Sequence, residues 1–331
     1  MAIQAESLRF LVDQIAAGTR LDAYLASQVE GWSRSRLQRL IEDEDVLVND
    51  GAVKSSYKVR ENDEIDVELT ELPVTKFEPE DIALDIVFED EFLAVINKPA
   101  GMVVHPGAGV QSGTLANAIA WRFKSTPTLE GGVQAASTDG VGFSEHGNRV
   151  GIVHRLDKDT SGLIVVAKSD EIHEALSEQF RERLVYKSYV ALVHGAIDKN
   201  SGTIDAPIGR NKHNRLRMKI SPHGRSALSL WKVRKRYDKF TLLDVEIKTG
   251  RTHQIRVHLA YINHPVVGDE IYNEGRDNTI SDSDIKNAVR SMNRFFLHAE
   301  KLSFTHPKTG EQLSFSSELP PDLVGLLDIL N

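Results

Sequence analysis

Short apolar runs alternate with stretches of helical periodicity over residues 81–331. Runs of apolar and β-branched residues predict strands at 82–88, 93–97, 163–167, 185–193 and 241–248. Apolar residues spaced three and four apart predict helices at 114–122, 172–183 and 252–262. Several strands follow one another closely and no regular strand–helix repeat is present. The pattern therefore predicts an α+β domain with a mixed, largely antiparallel sheet flanked by helices and loops.

A smaller unit is predicted between residues 19 and 70. Leu21, Tyr24 and Leu25 share one face of a first helix, and a second helix starts at Ser33 with apolar residues at spacings of three and four. Three short strands are predicted after them, at 46–48, 57–59 and 65–69. This order of elements indicates a small α/β module that folds independently of the larger domain.

The remaining segments lack such patterns. Residues 1–18 are predicted to be an N-terminal extension, and residues 71–80, with prolines at 73 and 79, to be a linker. Residues 124–148 are rich in Gly, Ser, Thr and Ala and are predicted to be a flexible insertion, because a structureless loop of about 25 residues is commonly disordered or functional.

Composition excludes several classes of chemistry. The chain has no cysteine, which removes thiolate catalysis, cysteine-based zinc sites and disulfides. The N-terminal residues show neither a basic segment before an apolar stretch nor an apolar run long enough for a membrane span. We therefore expect a cytoplasmic protein without a membrane partner.

Charge is distributed unevenly along the chain. The formal net charge is −8, yet residues 207–260 contain 14 Lys or Arg residues against three Asp or Glu residues. Such separation is typical of a protein that presents one basic face to a polyanion such as RNA. The alternative is that these charges are scattered over solvated faces.

The segment 154–162, HRLDKDTSG, carries the strongest chemical signal, because it places Asp157 between two cations just ahead of an apolar strand. A carboxylate anchored in a turn at a sheet edge, and kept ionised by cations, can act as a nucleophile or a base. Alternatively, Asp157 and Asp159 are solvated turn residues that pair with Arg155 and Lys158. A glycosidase acid/base pair is disfavoured, since carboxylates two residues apart on one loop do not converge naturally.

The string 154–163, HRLDKDTSGL, resembles the catalytic motif of the RluA-type pseudouridine synthases, which isomerise uridine in RNA without a cofactor. The stretch 249–260, TGRTHQIRVHLA, resembles the third motif of that family, and 187–195, KSYVALVHG, matches its tyrosine motif. The resemblance implies that Asp157 is the catalytic carboxylate and that Arg256 keeps it charged. It also implies that Tyr189 contacts the target base and that Arg155 inserts into the RNA. His154 is counted among the RNA-contacting residues, and we expect it to orient the loop.

Other segments extend the resemblance over nearly the whole chain. Residues 18–26, 33–41 and 46–54 resemble an S4 domain, a small RNA-binding fold, which implies phosphate contacts from Arg34, Arg36 and Arg39. The stretch 96–109 resembles the first family motif, where we expect Lys98 and Pro99 to be structural, and 264–269, HPVVGD, is expected to be a structural loop. By charge alone, an arm at 202–220 is predicted to contact phosphates through Arg210, Lys212, Arg215 and Arg217.

Within the family, the S4-like module, the HPGAG string and the GTIDAPI stretch look most like the large-subunit ribosomal RNA pseudouridine synthase D group. That resemblance implies 23S rRNA as the partner, with uridines of helix 69 as targets, no cofactor or metal, and a monomer. A synthase acting on other rRNA or tRNA uridines stays open, as does an RNA-binding ribosome-assembly factor without catalysis. A metal hydrolase built from histidines is disfavoured by their spacing; the candidate ligands would be His253, His258, His264 and His298.

Overall fold

A computed structural model describes residues 6–29, 34–42, 45–49, 51–69, 78–106, 110–123, 151–211, 217–222 and 224–331. Within this part, the residues up to 69 form one compact unit and those from 78 onward form a second. The predicted insertion at 124–148 lies outside the described residues, as does most of the predicted linker. None of the described helices is long and apolar enough to cross a membrane.

The first unit is a four-stranded antiparallel sheet with two helices. In chain order its elements are β1 (Glu6–Leu11), α1 (Leu21–Gln28), α2 (Arg34–Glu42), β2 (Val46–Val48), β3 (Gly51–Ala52) and β4 (Glu64–Leu69). The strand order is β1-β4-β2-β3. Leu21, Leu25, Leu37 and Leu40 are fully buried against the sheet, as their helical spacing predicts.

Two details of this unit differ from the sequence-based expectation. Strand β1 lies inside the predicted N-terminal extension, where it pairs with β4 through Phe10 and Ile65, so the module starts before residue 19. Only Leu8 and Phe10 of β1 pack against the core, which is too short an alternation to stand out in the sequence. The predicted strand at 57–59 does not form; the Tyr57 hydroxyl instead donates to Asp63 over 2.9 Å.

The second unit contains a nine-stranded sheet and five α-helices among its described residues. Its elements are β5 (Ile86–Glu89), β6 (Leu93–Lys98), α3 (Leu115–Phe123), β7 (Ser161–Ala167), α4 (Asp170–Arg181), β8 (Tyr186–His194), β9 (Ser201–Asp205), β10 (Ile208–Arg210), β11 (Met218–Ile220), β12 (Leu228–Arg236), β13 (Phe240–Ile247), α5 (Gln254–Tyr261), α6 (Ser283–Met292), β14 (Leu297–Thr305), β15 (Gln312–Ser316) and α7 (Pro321–Ile329). Strands β10 and β11 pair separately as a two-stranded arm.

The order of the large sheet is β5-β6-β7-β14-β8-β13-β12-β9, with β15 added to β14. Strands β7 and β14 pair in parallel, whereas the other pairings in the described sheet are antiparallel. The predicted α+β class with a mixed, largely antiparallel sheet is therefore confirmed.

Strand β7 lies near the centre of this sheet and is buried along its whole length. Ile164 and Val166 face the core that contains residues of α3 and α5, whereas Leu163 and Val165 face the core that contains residues of α4. Burial on both faces explains the continuous apolar run in the sequence. The strand forms a rigid base for the residues that precede it.

The start of β7 corrects one expectation, because Ser161 and Gly162 belong to the strand and not to the turn before it. Gly162 has a φ of +109°, and a Cβ there would lie 2.3 Å from the Ala299 carbonyl oxygen. Glycine is required at this close approach of two strands. The turn itself closes earlier, where the Thr160 N–H donates to the Asp157 carbonyl over 3.1 Å.

Candidate active site

The loop that carries Asp157 is fixed from both sides. Leu156 is buried in the main core, which anchors the loop next to Asp157. On the other side, the Lys158 carbonyl accepts hydrogen bonds from the Lys98 ammonium over 3.0 Å and from the Gly101 N–H over 2.9 Å. The Lys98 ammonium also donates to the Pro99 and Met102 carbonyls. The turn at Lys98, which we expected to be structural, thus holds the backbone beside Asp157, the candidate catalytic carboxylate.

Arg256, on α5, contacts two carboxylates. Its Nη1 donates to Asp157 Oδ2 over 3.1 Å, while Nε and Nη2 donate to the two oxygens of Asp269 over 2.7 and 2.8 Å. Burial lowers the pKa of Arg256, but the adjacent Asp269 and Asp157 outweigh burial and raise it. The structure therefore brings the sequence-predicted pair Asp157 and Arg256 together, with a guanidinium that stays charged.

Asp269 is the site residue that the sequence analysis missed, since it was assigned to a structural loop. Its side chain is fully buried, and Oδ1 also accepts the backbone N–H groups of Ile271 and Tyr272 over 3.1 and 3.2 Å. An aspartate after a glycine ordinarily indicates a turn. Its 13-residue separation from Arg256 carries no periodic signal, so only the fold reveals the contact.

Tyr189 lies on β8 and is paired with Val245 of β13 and Ala299 of β14. Burial, followed by the nearby charge of Asp157, raises the pKa of the Tyr189 hydroxyl well above its usual range. The tyrosine therefore lies close enough to sense the carboxylate and stays protonated. It is 6% exposed and packs in the main core, and it is not among the described residues that line the open cavity.

A cavity of about 990 Å³ opens above Asp157. Its lining combines the loop of Asp157 (155–159), the turn after β6, residues 268–278 and the carboxyl end of α6. Cations at its wall include Arg155, Lys158, Arg290 and Arg294. The volume lies at the upper end of the usual range for small-ligand pockets, and such a site has room for an extruded nucleotide.

The two predicted RNA-contacting residues next to Asp157, Arg155 and His154, differ in their surroundings. Arg155 is exposed and lines the cavity, where an inserting side chain needs to be. His154 is used by the fold: its Nε2 accepts the Val165 N–H over 3.0 Å and its ring stacks on Phe180 at 4.6 Å. Burial, with a smaller effect of Lys187, lowers the pKa of His154 to about 3. This geometry favours the loop-orienting role of His154, and its RNA contact stays a prediction.

Two other predicted phosphate contacts have protein partners. The half-exposed Arg34 donates to Asp22 over 3.1 Å. The Arg217 guanidinium donates to the Ile271 carbonyl and lies 5.5 Å from the centre of the Tyr272 ring. Arg217 is thus docked on the protein and not extended toward solvent. The remaining predicted side chains lie outside the described part of the structure: Arg36, Arg39, Arg210, Lys212 and Arg215.

The four histidines of the metal-site alternative are each committed to separate partners. His253 contacts the Tyr272 hydroxyl, His264 donates to the His194 carbonyl, and His298 contacts Ser161. His258 lies between Ser229 and the Ala206 carbonyl. Among the described residues, no group of three or more His, Cys, Asp or Glu side chains is arranged to hold a metal ion.

Comparisons with known proteins match both units. Residues 92–261 match the RNA pseudouridylate synthase family and residues 19–65 match the S4 domain. An RNA pseudouridine synthase of Bacillus subtilis is 42% identical over 311 residues, covering 94% of each chain. The ribosomal large subunit pseudouridine synthase D of Xanthomonas campestris is 39% identical over 321 residues, covering 97% of this chain and 91% of that protein.

A solved structure also matches, that of human RNA pseudouridylate synthase domain containing 1. It has a TM-score of 0.53 and 26% identity, and covers 78% of this chain and 90% of its own. The resemblance to the RluA-type synthases that the motifs indicated is therefore confirmed. The chain belongs to the RNA pseudouridine synthase family, carries an S4 domain, and is an isomerase.

Proposed function

We propose that this enzyme converts uridines of 23S rRNA, in helix 69, to pseudouridine, with Asp157 as the catalytic carboxylate. Several relatives about 40% identical over nearly the full chain are named ribosomal large subunit pseudouridine synthase D, which supports a large-subunit substrate. The observation that carries the chemical assignment is the geometry of Asp157. It lines the cavity while Arg256, itself fixed by the buried Asp269, donates to it.

The isomerisation requires the C1′–N1 bond of uridine to break, the uracil to rotate while bound, and a C1′–C5 bond to form. An ionised Asp157 has two ways to begin. It can attack C1′ and form an ester while uracil leaves as an anion, or it can remove the C2′ proton and eliminate uracil. In the first route C5 then bonds to C1′ as the ester bond breaks and frees Asp157; in the second, C5 adds to C1′ and C2′ regains its proton. In both routes C5 finally loses its proton. Arg256 favours the ionised carboxylate that both routes need.

Tyr189 is proposed to support the base as a neutral phenol. Its raised pKa makes it a poor base in the free enzyme, so in this proposal the buried hydroxyl donates a proton and does not remove one. Arg155 is proposed to fill the space that the flipped nucleotide leaves in the RNA, since it is exposed at the cavity. The enzyme is proposed to act as a cytoplasmic monomer.

The test of the catalytic carboxylate compares two variants of one loop, Asp157→Asn and Asp159→Asn. Both replace a carboxylate at the cavity with an amide, but only Asp157 receives the Arg256 hydrogen bond in the structure. We expect Asp157→Asn to abolish tritium release from RNA labelled at uridine C5 while RNA affinity stays near that of the wild type. Asp159→Asn should retain most of the rate. A normal rate in Asp157→Asn would overturn the assignment.

The substrate is tested separately by mapping pseudouridines in total RNA from cells with and without the gene. The proposal expects losses confined to helix 69 of 23S rRNA. Losses at other rRNA or at tRNA positions would overturn the helix 69 assignment and leave the Asp157 chemistry standing.

A further inference from the structure

Tyr272 lies where the β10–β11 arm, α5 and the loop of Asp269 meet. A small apolar cluster joins these elements, with Ile208 from the arm, Val257 from α5 and Tyr272 at its centre. Tyr272 is 7% exposed, so its ring is part of the packing. No motif identified in the sequence includes this residue.

The Tyr272 hydroxyl connects the arm to the start of α5. It accepts the Met218 N–H over 2.8 Å and lies 2.8 Å from His253 Nδ1. Burial raises the pKa of Tyr272 and lowers the pKa of His253, so a protonated phenol faces a neutral imidazole. His253 has a left-handed backbone with a φ of 56° at the residue before α5.

The Tyr272 ring and backbone contact the charged network of the site. The Arg256 and Arg217 guanidinium groups lie 5.1 and 5.5 Å from the ring centre, which places both in cation–π range. The Tyr272 N–H donates to Asp269, the carboxylate that holds Arg256. One side chain therefore contacts the arm, the helix start and the cation that pairs with Asp157.

We propose that Tyr272 is a positioning residue that couples the conformation of the β10–β11 arm to the Asp157–Arg256 pair. This inference rests on the proposed function. When the arm is docked, Arg217 and the Met218 N–H hold Tyr272, and Tyr272 in turn holds His253 and Arg256. Arm contacts with RNA then affect the rate of the chemical step as well as RNA affinity.

The first test is Tyr272→Phe, which retains the ring and removes both hydrogen bonds of the hydroxyl. Tyr261→Phe is the matched control, because Tyr261 ends α5, the helix that carries Arg256, and is 62% exposed. We expect Tyr272→Phe to lower kcat on the order of tenfold with little change in KM or in melting temperature, as for lost orientation at a distance. Tyr261→Phe should match the wild type. An unchanged kcat in Tyr272→Phe would overturn the proposal.

The second test is a double-mutant cycle measured on single-turnover rates. Arg217→Met should slow the wild-type enzyme but have less than about a twofold effect in a Tyr272→Leu background, which lacks the ring that Arg217 contacts, since residues of one network are not additive. Lys219→Met, at an exposed side chain of β11, should combine additively with Tyr272→Leu. If the Arg217 and Tyr272 effects add in an active enzyme, the coupling is overturned and the proposed function stands. If the wild type does not form pseudouridine, the proposed function is overturned.

Discussion

Arg256 serves two carboxylates of different exposure, and this asymmetry defines the site. Asp269 is fully buried and receives two hydrogen bonds from Arg256, whereas the Asp157 side chain is 17% exposed and receives one from Arg256. The two hydrogen bonds to Asp269 fix the plane of the Arg256 guanidinium, and its Nη1 therefore points at Asp157. In the proposed reaction, Asp157 therefore acts at the cavity while Arg256 stays in place.

This arrangement predicts a large effect for Asp269→Asn. An amide offers one acceptor in place of two and no charge, so Arg256 is no longer held in one plane. We expect kcat to fall about 100-fold, as for a small misplacement of a catalytic group, with RNA affinity unchanged. Glu270→Gln, at the neighbouring cavity residue, is the control and should keep most of the activity. Single-turnover kinetics that show a wild-type rate for Asp269→Asn would contradict this prediction.

A second prediction at the residue scale concerns Lys98 and the pH dependence of the free energy of unfolding. Its side chain is fully buried, and burial lowers its pKa from 10.5 to about 7, against the charges of Asp159 and Asp157. Between these two values the unfolded chain binds a proton that the folded chain has released. The free energy of unfolding must therefore rise with pH across this window.

The check compares the wild type with Lys98→Met by urea unfolding at pH 6, 7, 8 and 9. We expect Lys98→Met to be less stable at every pH, because three backbone carbonyls lose their donor. The stability difference in favour of the wild type should widen above pH 7. A constant difference from pH 6 to pH 9 would show that Lys98 keeps an ordinary pKa in the fold.

At the scale of elements, the sequence predicts well those strands and helices that have strong apolar patterns. Strand β7 is a continuous apolar run because both of its faces are buried, and it was predicted to within two residues. Strand β1 was missed, because only two of its side chains pack against the core. Asp157 and Arg256 were identified through motifs, but Asp269 and Tyr272 depend on contacts that no local pattern encodes.

The S4 domain offers a prediction at this scale, through the fully buried Asp22 of α1. Its carboxylate receives hydrogen bonds from Arg20, Arg34 and Gln38, which link the two helices. The Arg20 hydrogen bonds are the largest of several effects that together hold the pKa of Asp22 well below its ordinary value of 3.8. Asp22→Asn should destabilise this domain by about 2 kcal/mol at neutral pH.

Hydrogen exchange of the α1 and α2 amides in the full chain measures this effect. The gap between wild type and Asp22→Asn should shrink as pH falls below about 4, since the stabilisation from a depressed carboxyl pKa is complete above the unfolded-state pKa and is lost progressively below it. Asp66→Asn is the control, because Asp66 pairs with the exposed Arg9 on the surface of the same domain. Equal loss of protection in both variants would contradict a special role for Asp22.

For the whole molecule, the charge excess of residues 207–260 overstates the free positive surface. Arg234 pairs with Asp244 and Glu300, and Arg256 is used inside the site. Arg251, in contrast, lies near two other arginines, Arg225 and Arg183. Burial lowers the pKa of Arg251, and the nearby charges of Arg225 and Arg183 lower it further. Like charges brought together from three separate segments are typical of a surface that meets a polyanion.

The last prediction concerns this arginine group, Arg183, Arg225 and Arg251. If each neutralises one phosphate, each substitution to Gln should reduce the slope of log affinity against log salt by about 0.7–0.9 and weaken binding without regard to sequence. Arg122→Gln removes one positive charge from a residue paired with Glu89 and controls for net charge. The slope is measured by fluorescence anisotropy of a labelled helix 69 stem-loop from 50 to 300 mM salt. A triple variant with an unchanged slope would show that RNA binds elsewhere and that these arginines repel one another without a ligand.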